Sequence, residues 1–321
     1  MMRPLLRGGV FLALACIVGL AADALAQAPA PSPTPTVTTV PSGKQQTFAS
    51  PEAAADAITD AIRKDNDKAV AAMLGSGWRD FVPGTRQDED NQRATFLAAW
   101  DEAHKIVRQD DDKAVIEVGK TGFVMPIPIV KEGAVWRFDV EAGRKEIEAR
   151  TIGRNELTTV QTLLAIVDAQ NDYAATDPLK TGTATYARRL LSSPGQKDGL
   201  YWQAKPGEPE SPLGPLVAKA QPGAGEHGGY FGYHYRMLYR QGPAAKPDGA
   251  HEYVVNGRMI AGFAVIAWPV TYGETGVMTF IVNQQGEVYE QDFGPDTAAK
   301  VAAITAFNPD QDWQKSDTTL P

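Results

Sequence analysis

At 321 residues, 43% of them hydrophobic, the chain is long enough for two domains that each bury a core of their own. Its net charge of −8 lacks the basic footprint that holds a phosphate backbone or an anionic lipid surface, which argues against nucleic acid as a partner. The single cysteine, Cys16, excludes an internal disulfide, and its loss with a cleaved leader would exclude thiolate metal sites and cysteine nucleophiles as well.

Residues 1–26 read as a secretory signal peptide. Arg3 and Arg7 supply a basic start, "GVFLALACIVGLAADALA" an apolar stretch, and Ala24-Leu25-Ala26 a cleavage site before Gln27. Asp23 interrupts the apolar run before it reaches the ~20 residues a bilayer span needs, so no transmembrane span is expected in the mature chain. The expected location is the periplasm. The alternative is a lipid anchor through Cys16, against which Ala13 stands where a lipoprotein signal usually carries leucine. Residues 27–45, "QAPAPSPTPTVTTVPSGKQ", hold almost no bulky side chain to offset the entropy of ordering and read as a disordered tether.

The first domain, 46–150, opens at Ser50-Pro51-Glu52, an N-cap with proline at the first helical position. Ala54, Ala57, Ile58, Ala61 and Ile62 follow on one helical stripe, and "DNDKAVAAML" predicts a short second helix. After a Gly- and Asp-rich loop the spacing predicts a third helix over 87–107, with Phe96, Trp100, His104 and Val107 on one face. The period then falls to two. "KAVIEVG" alternates as a strand, and "FVMPIPIVKEGAVWRFDV" reads as a strand, a turn at Lys131-Glu132-Gly133, and a strand burying Trp136, Phe138 and Val140. Pro126 and Pro128 assign the first of these to a sheet edge.

The second domain, 151–313, begins with a long helix from Asn155, on which Leu157, Val160, Leu164, Val167 and Ala174 form the expected buried stripe. A loop-rich stretch over 177–225 leads to strands in "YHYRMLYRQ", "HEYVVNGRMIAGFAVIAWP" and "GVMTFIVNQQGEVYEQDFG". Asn256-Gly257 signals a two-residue hairpin and Gln284-Gln285-Gly286 a second turn; Asp296 caps the helix predicted in "TAAKVAAITAF". Residues 314–321 are read as a tail. The fold class is α+β in two domains: helices plus a curved antiparallel sheet, then a long helix plus an antiparallel sheet.

"IGRNELTTVQTLLAIVDAQNDYA", "YARRLLSSPGQKDGLYW", "ESPLGPLV", "YVVNGRMIAGFAVIAWP" and "GVMTFIVNQQGEVYEQDFGPDTA" resemble the exported bacterial family catalogued as domain of unknown function 2950, over about Phe48 to Trp313. The resemblance carries over no reaction, ligand or catalytic residue. The first domain's order of elements is similar to cone-shaped domains of the nuclear-transport-factor-two type. The second resembles the globular part of pseudopilins, without their apolar N-terminal helix. Both likenesses imply a fold and no function.

"GGYFGYHYRMLYRQG", residues 228–242, is the most site-like stretch. Tyr233, Tyr235, Met237 and Tyr239 alternate onto one strand face and His234 and Arg236 onto the other; the expectation is packing on the long helix, with a ligand-stacking surface as the alternative. His104, His227, His234 and His251 show no metal-site spacing, so no metal is expected. The acidic runs at 88–90, 110–112 and 310–312 read as solvated loops without the glycine and distal glutamate of a calcium site. No phosphate-binding glycine loop or nucleophile elbow occurs, and no cofactor is expected. Arg258 is expected to pair with Asp198 or Glu210 and so fix the long loop, while Arg154, Asn155 and Glu156 have no evident structural role. The reading is an exported, non-catalytic module that binds another envelope protein. The alternative is a small-ligand binder or hydrolase, its pocket formed where Trp100, His104, Trp136 and Phe138 converge.

Overall fold

The computed structural model describes residues 45–82, 84–219 and 229–316. The signal segment with Cys16, the tether up to Lys44, His227 and the chain beyond Ser316 lie outside the described residues. Helix starts in the first half are set by their caps. The Ser50 hydroxyl accepts the Ala53 N–H ahead of α1 (Pro51–Arg63), and the Asn66 side chain accepts the Ala69 N–H ahead of α2 (Asp67–Leu74). Thr85 and Asp88 cap each other's backbone at the start of α3 (Arg86–Glu102). Next come β1 (His104–Arg108), β2 (Lys113–Val118), β3 (Phe123–Val124), β4 (Ile129–Glu132) and β5 (Val135–Phe138). They form an antiparallel sheet in the order β1-β2-β4-β5, with β3 also on β2. α1 lays Ala54, Ile58 and Ala61 against Ile116, Trp136 and Phe138 to make the first core.

Three expectations for this half are corrected. The third helix stops at Glu102, because Ala103 is extended and Ile106 and Val107, β-branched, pair with Ile116 and Val115 in a hairpin. Pro126 and Pro128 do not lie on an edge strand; they interrupt the chain between β3 and β4, and β4 sits between β2 and β5. Gln45 belongs to the folded unit and not to the tether, since its amide donates to the carbonyls of Met73 at 2.6 Å and Phe138 at 2.8 Å.

The largest departure is α4, one uninterrupted helix of 37 residues, Val140–Thr176, where a start at Asn155 was expected. Asp139 caps it by accepting the Ala142 N–H. Residues 140–154 carry no apolar stripe, because only Gly143 among them is buried. There the helix rests on good helix formers and on pairs such as Glu146–Arg150 at 2.7 Å. Val160 and Val167 of the expected stripe are buried, but the face is rotated from it: Leu157 is 44% exposed, while Leu163, Ile166, Gln170 and Tyr173 are buried.

Beyond α4 lie β6 (Arg189–Leu191), β7 (Gly199–Tyr201), α5 (Gly214–Lys219), β8 (Tyr233–Leu238), β9 (Arg240–Gln241), β10 (His251–Glu252), β11 (Val254–Val255) and β12 (Arg258–Met259). Then come β13 (Ala264–Pro269), β14 (Met278–Asn283), β15 (Val288–Asp292), α6 (Thr297–Ala303) and β16 (Gln314–Lys315). The main sheet, antiparallel throughout, runs β16-β15-β14-β13-β8, so residues 314 and 315 are an edge strand and not a tail. β13 and β14 are buried almost throughout, as strands covered on both faces must be. On one face α4 supplies the second core. On the other, Arg236 donates to the Val301 and Ile304 carbonyls and so closes the C-terminus of α6.

The structure is α+β, as expected. The expected domain boundary at 150/151 falls inside α4. The two hydrophobic cores are separate, yet backbone contacts group both within one unit.

Glu156 and Asn155 fasten α4 to the loop before β14. Glu156 Oε1 accepts the N–H groups of Val277 at 2.8 Å and Met278 at 2.9 Å, and the Asn155 amide donates to the Thr275 carbonyl at 2.9 Å. Gly276 permits this approach: a Cβ there would lie 2.0 Å from the Tyr233 hydroxyl oxygen. Glu156→Ala should cost about 2 kcal/mol in urea unfolding, because two backbone donors lose their acceptor. Glu156→Gln, which keeps an oxygen in place, should cost less than half as much.

Candidate functional site

The first core is not filled. A cavity of about 260 Å³ opens between α1, α2, α3, the sheet and the first half of α4. Its interior is hydrocarbon, from side chains such as Ile58, Val70, Phe96, Ile116 and Phe138, with Ile147 of α4 at its border. Trp78, Phe81 and Val82, from the turn after α2, complete the wall nearest the charged groups.

Among the described residues, charged and amide side chains line it only from the α1–α2 turn, the first residue of α2 and α3. There three arginines and four carboxylates interlock. Arg86 reaches Asp65 at 2.8 Å, Glu89 at 3.4 Å and Asp90 at 3.6 Å. Arg93 pairs with Asp65 and Asp90, and Arg79 with Asp67 and, at 3.6 Å, with Glu89. Each guanidinium is shared between carboxylates, so the rim ties the α1–α2 turn to the turn after α2 and to α3. Glu89 and Arg93 are the better-buried members and the rest are about half exposed, so salt screens most of the network. The rim can hold the mouth in shape and offer hydrogen bonds to a polar end of a ligand. The interior offers apolar contact alone.

The four residues expected to converge do not. Phe138 alone lines the cavity. His104, read as helical, is the first residue of β1; its ring stacks on Trp100 at 3.9 Å and 10°, and its Nδ1–H donates to the Trp100 carbonyl at 2.9 Å. Trp136 is buried beside Phe48, with the Arg108 guanidinium 5.2 Å from its ring centre. The rim was missed because Asp88-Glu89-Asp90 was read as a loop; these residues form the first turn of α3, where acidic side chains favour the helix dipole. The available signal was Arg86 and Arg93, two helical turns apart on one face of α3.

In the second half, Tyr233 and Tyr235 face α4 as expected. The Tyr233 hydroxyl donates to the Met278 carbonyl at 3.0 Å, and the Tyr235 hydroxyl to Thr159 Oγ1 at 3.3 Å. Burial pushes the Tyr235 phenol up to about 12 and the Tyr233 phenol higher still, with the Glu156 carboxylate adding to the latter. The alternation ends before Tyr239, which is 42% exposed and donates to the Arg188 carbonyl. His234, on the other face, lies across from Trp268 at 5.3 Å. The expected pairing of Arg258 with Asp198 is not made. Asp198 accepts the Ser193 N–H at 2.7 Å and its hydroxyl at 2.8 Å and sits 3.5 Å from Arg189, closing its own loop.

A family model described as "Protein of unknown function (DUF2950)" matches residues 45–316. No curated protein and no solved structure matches the chain.

The capping box under the rim is sensitive to acid. The Thr85 backbone N–H and hydroxyl donate to the Asp88 carboxylate and hold its pKa below the usual aspartate range. A depressed folded pKa stabilises above the unfolded value near pH ~4 and loses its effect as pH falls through the folded one. Carboxyl-resolved NMR should find Asp88 titrating below ordinary aspartates, and Thr85→Ala should move it part of the way back.

Proposed function

The chain belongs to the DUF2950 family, and from that premise we propose that it is an exported envelope protein whose first core binds one small, predominantly apolar ligand without transforming it. The unfilled hydrocarbon cavity carries this reading. At about 260 Å³ it exceeds the ~150 Å³ known to admit a benzene ring. The carboxylates that line the cavity, Asp65, Asp67 and Glu89, are engaged with the arginines of the rim, and the wall around Ile58, Val70, Phe96 and Ile116 is hydrocarbon, which favours binding over hydrolysis. Export is supported by the basic, apolar and Ala-x-Ala succession of residues 1–26.

The expected protein partner has less support. Phe123, Val135, Leu157, Leu179, Leu191, Tyr239, Val255 and Ile260 are exposed; Val255 and Ile260 share one short hairpin, and the others come from separate stretches of chain.

N-phenyl-1-naphthylamine, whose fluorescence rises in apolar surroundings, should bind the purified protein in a saturable way and be displaced by decanol. Val70→Phe, which fills the cavity from α2, should weaken that binding at least tenfold with the melting temperature held or raised. A variant that keeps its fold and still binds the probe as tightly would sink the assignment. Protein recovered from the periplasm should begin at Gln27; an N-terminus still carrying residues 1–26 contradicts export by cleavage.

A further inference from the structure

The stretch that reads most like a site holds a second cavity, independent of the first. It measures about 310 Å³ and lies beside the edge strand β8, bordered by Leu190 and Leu191 of β6, Leu213 and Leu216 at α5, and the turn that precedes β8. That turn is a two-residue hairpin. Tyr230 and Tyr233 exchange backbone hydrogen bonds at 2.7 and 3.1 Å, with Phe231 and Gly232 at its tip.

Both tip residues have positive φ, 53° at Phe231 and 78° at Gly232. The same chain builds the same turn a second time, at Asn256 with φ 51° and Gly257 with φ 78°. Asparagine is the residue this turn prefers, because its short polar side chain tolerates the left-handed region; a bulky aromatic is strained there. One position therefore carries the favoured residue and its geometric twin carries a disfavoured one. Core packing does not account for the choice, since Phe231 belongs neither to the second core nor to the partly buried side chains packed on it. Among the described residues Phe231 also makes no ring–ring contact. It lines the cavity. Gly232 fixes the turn in place, because a Cβ there would lie 2.6 Å from Asn155 Nδ2.

The other wall groups complete a chemistry. Tyr230, His234 and Trp268 add aromatic rings.

We propose that this cavity binds a small aromatic molecule, with Phe231 held in a strained turn to form part of its wall. Strain kept where packing does not need it belongs to a binding site, and relieving it should separate stability from affinity.

The test uses p-cresol with the full chain, residues 220–228 included, followed by calorimetry. The wild type should bind p-cresol. Phe231→Asn, which supplies the residue its twin turn carries, should hold or raise the melting temperature while weakening p-cresol binding at least tenfold. No binding by the wild type overturns the proposal. So does a Phe231→Asn protein that binds as tightly, or one that melts much lower, which would make Phe231 an ordinary packing residue. Binding lost in Val70→Phe would place p-cresol in the first cavity and overturn it equally.

Discussion

The continuous hydrogen-bond ladder of α4 joins two cores that share no side chains. Its first half borders the first cavity through Ile147 and meets the segment between β3 and β4 at Gly143, where an added Cβ would come within 2.7 Å of Ile127. Arg150 reinforces that contact by donating to the Val124 carbonyl at 2.8 Å. Six residues later Glu156 holds the loop before β14, and from Thr159 onward the same helix is buried in the second core. A 37-residue helix is far longer than the usual three turns or so. It persists because burial holds its second half, while its exposed first half rests on a cap and charged pairs.

The two cavities differ in how they are bounded. The first is closed by ion pairs on three neighbouring segments, none worth much alone because most members are exposed. Their shared carboxylates matter for geometry more than for energy, keeping the turn after α2 against α3 while leaving hydrocarbon behind it. The second is bounded by a sheet edge and a hairpin tip, where one residue choice opposes local propensity. The twin turn at Asn256-Gly257, which obeys that propensity, makes the exception informative.

Much of the fold was legible because local chemistry determined it. Ser50-Pro51, Asn256-Gly257 and the alternation in "VWRF" each specify one conformation within a few residues. The failures have physical causes. Residues 140–154 show no helical stripe because little of that surface is buried, so periodicity cannot mark them. "HKIVRQDDDKAVIEV" comes after a helix closely enough for Val107 to be taken into the helical pattern, although its pairing partner lies eight residues on. The rim joins Asp65 to Arg86 and Arg93, a tertiary pairing that neither segment announces. The turn at Phe231-Gly232 escaped notice for the reason that makes it interesting: the usual signal is asparagine, and phenylalanine hides it.

The unbroken length of α4 also restricts how this chain can vary. Each residue added to an α-helix advances the C-terminal part by about 1.5 Å and rotates it by ~100°. One residue inserted between Arg150 and Asn155 would swing Glu156 off the Val277 and Met278 amides and bring Leu157 towards the core in place of its neighbours, unless Arg150 and Gly143 let go of their own contacts. The spacing between the two halves is thus fixed to the residue. In descendants of this sequence, insertions and deletions should collect in the stretch after Thr176 and spare the helix.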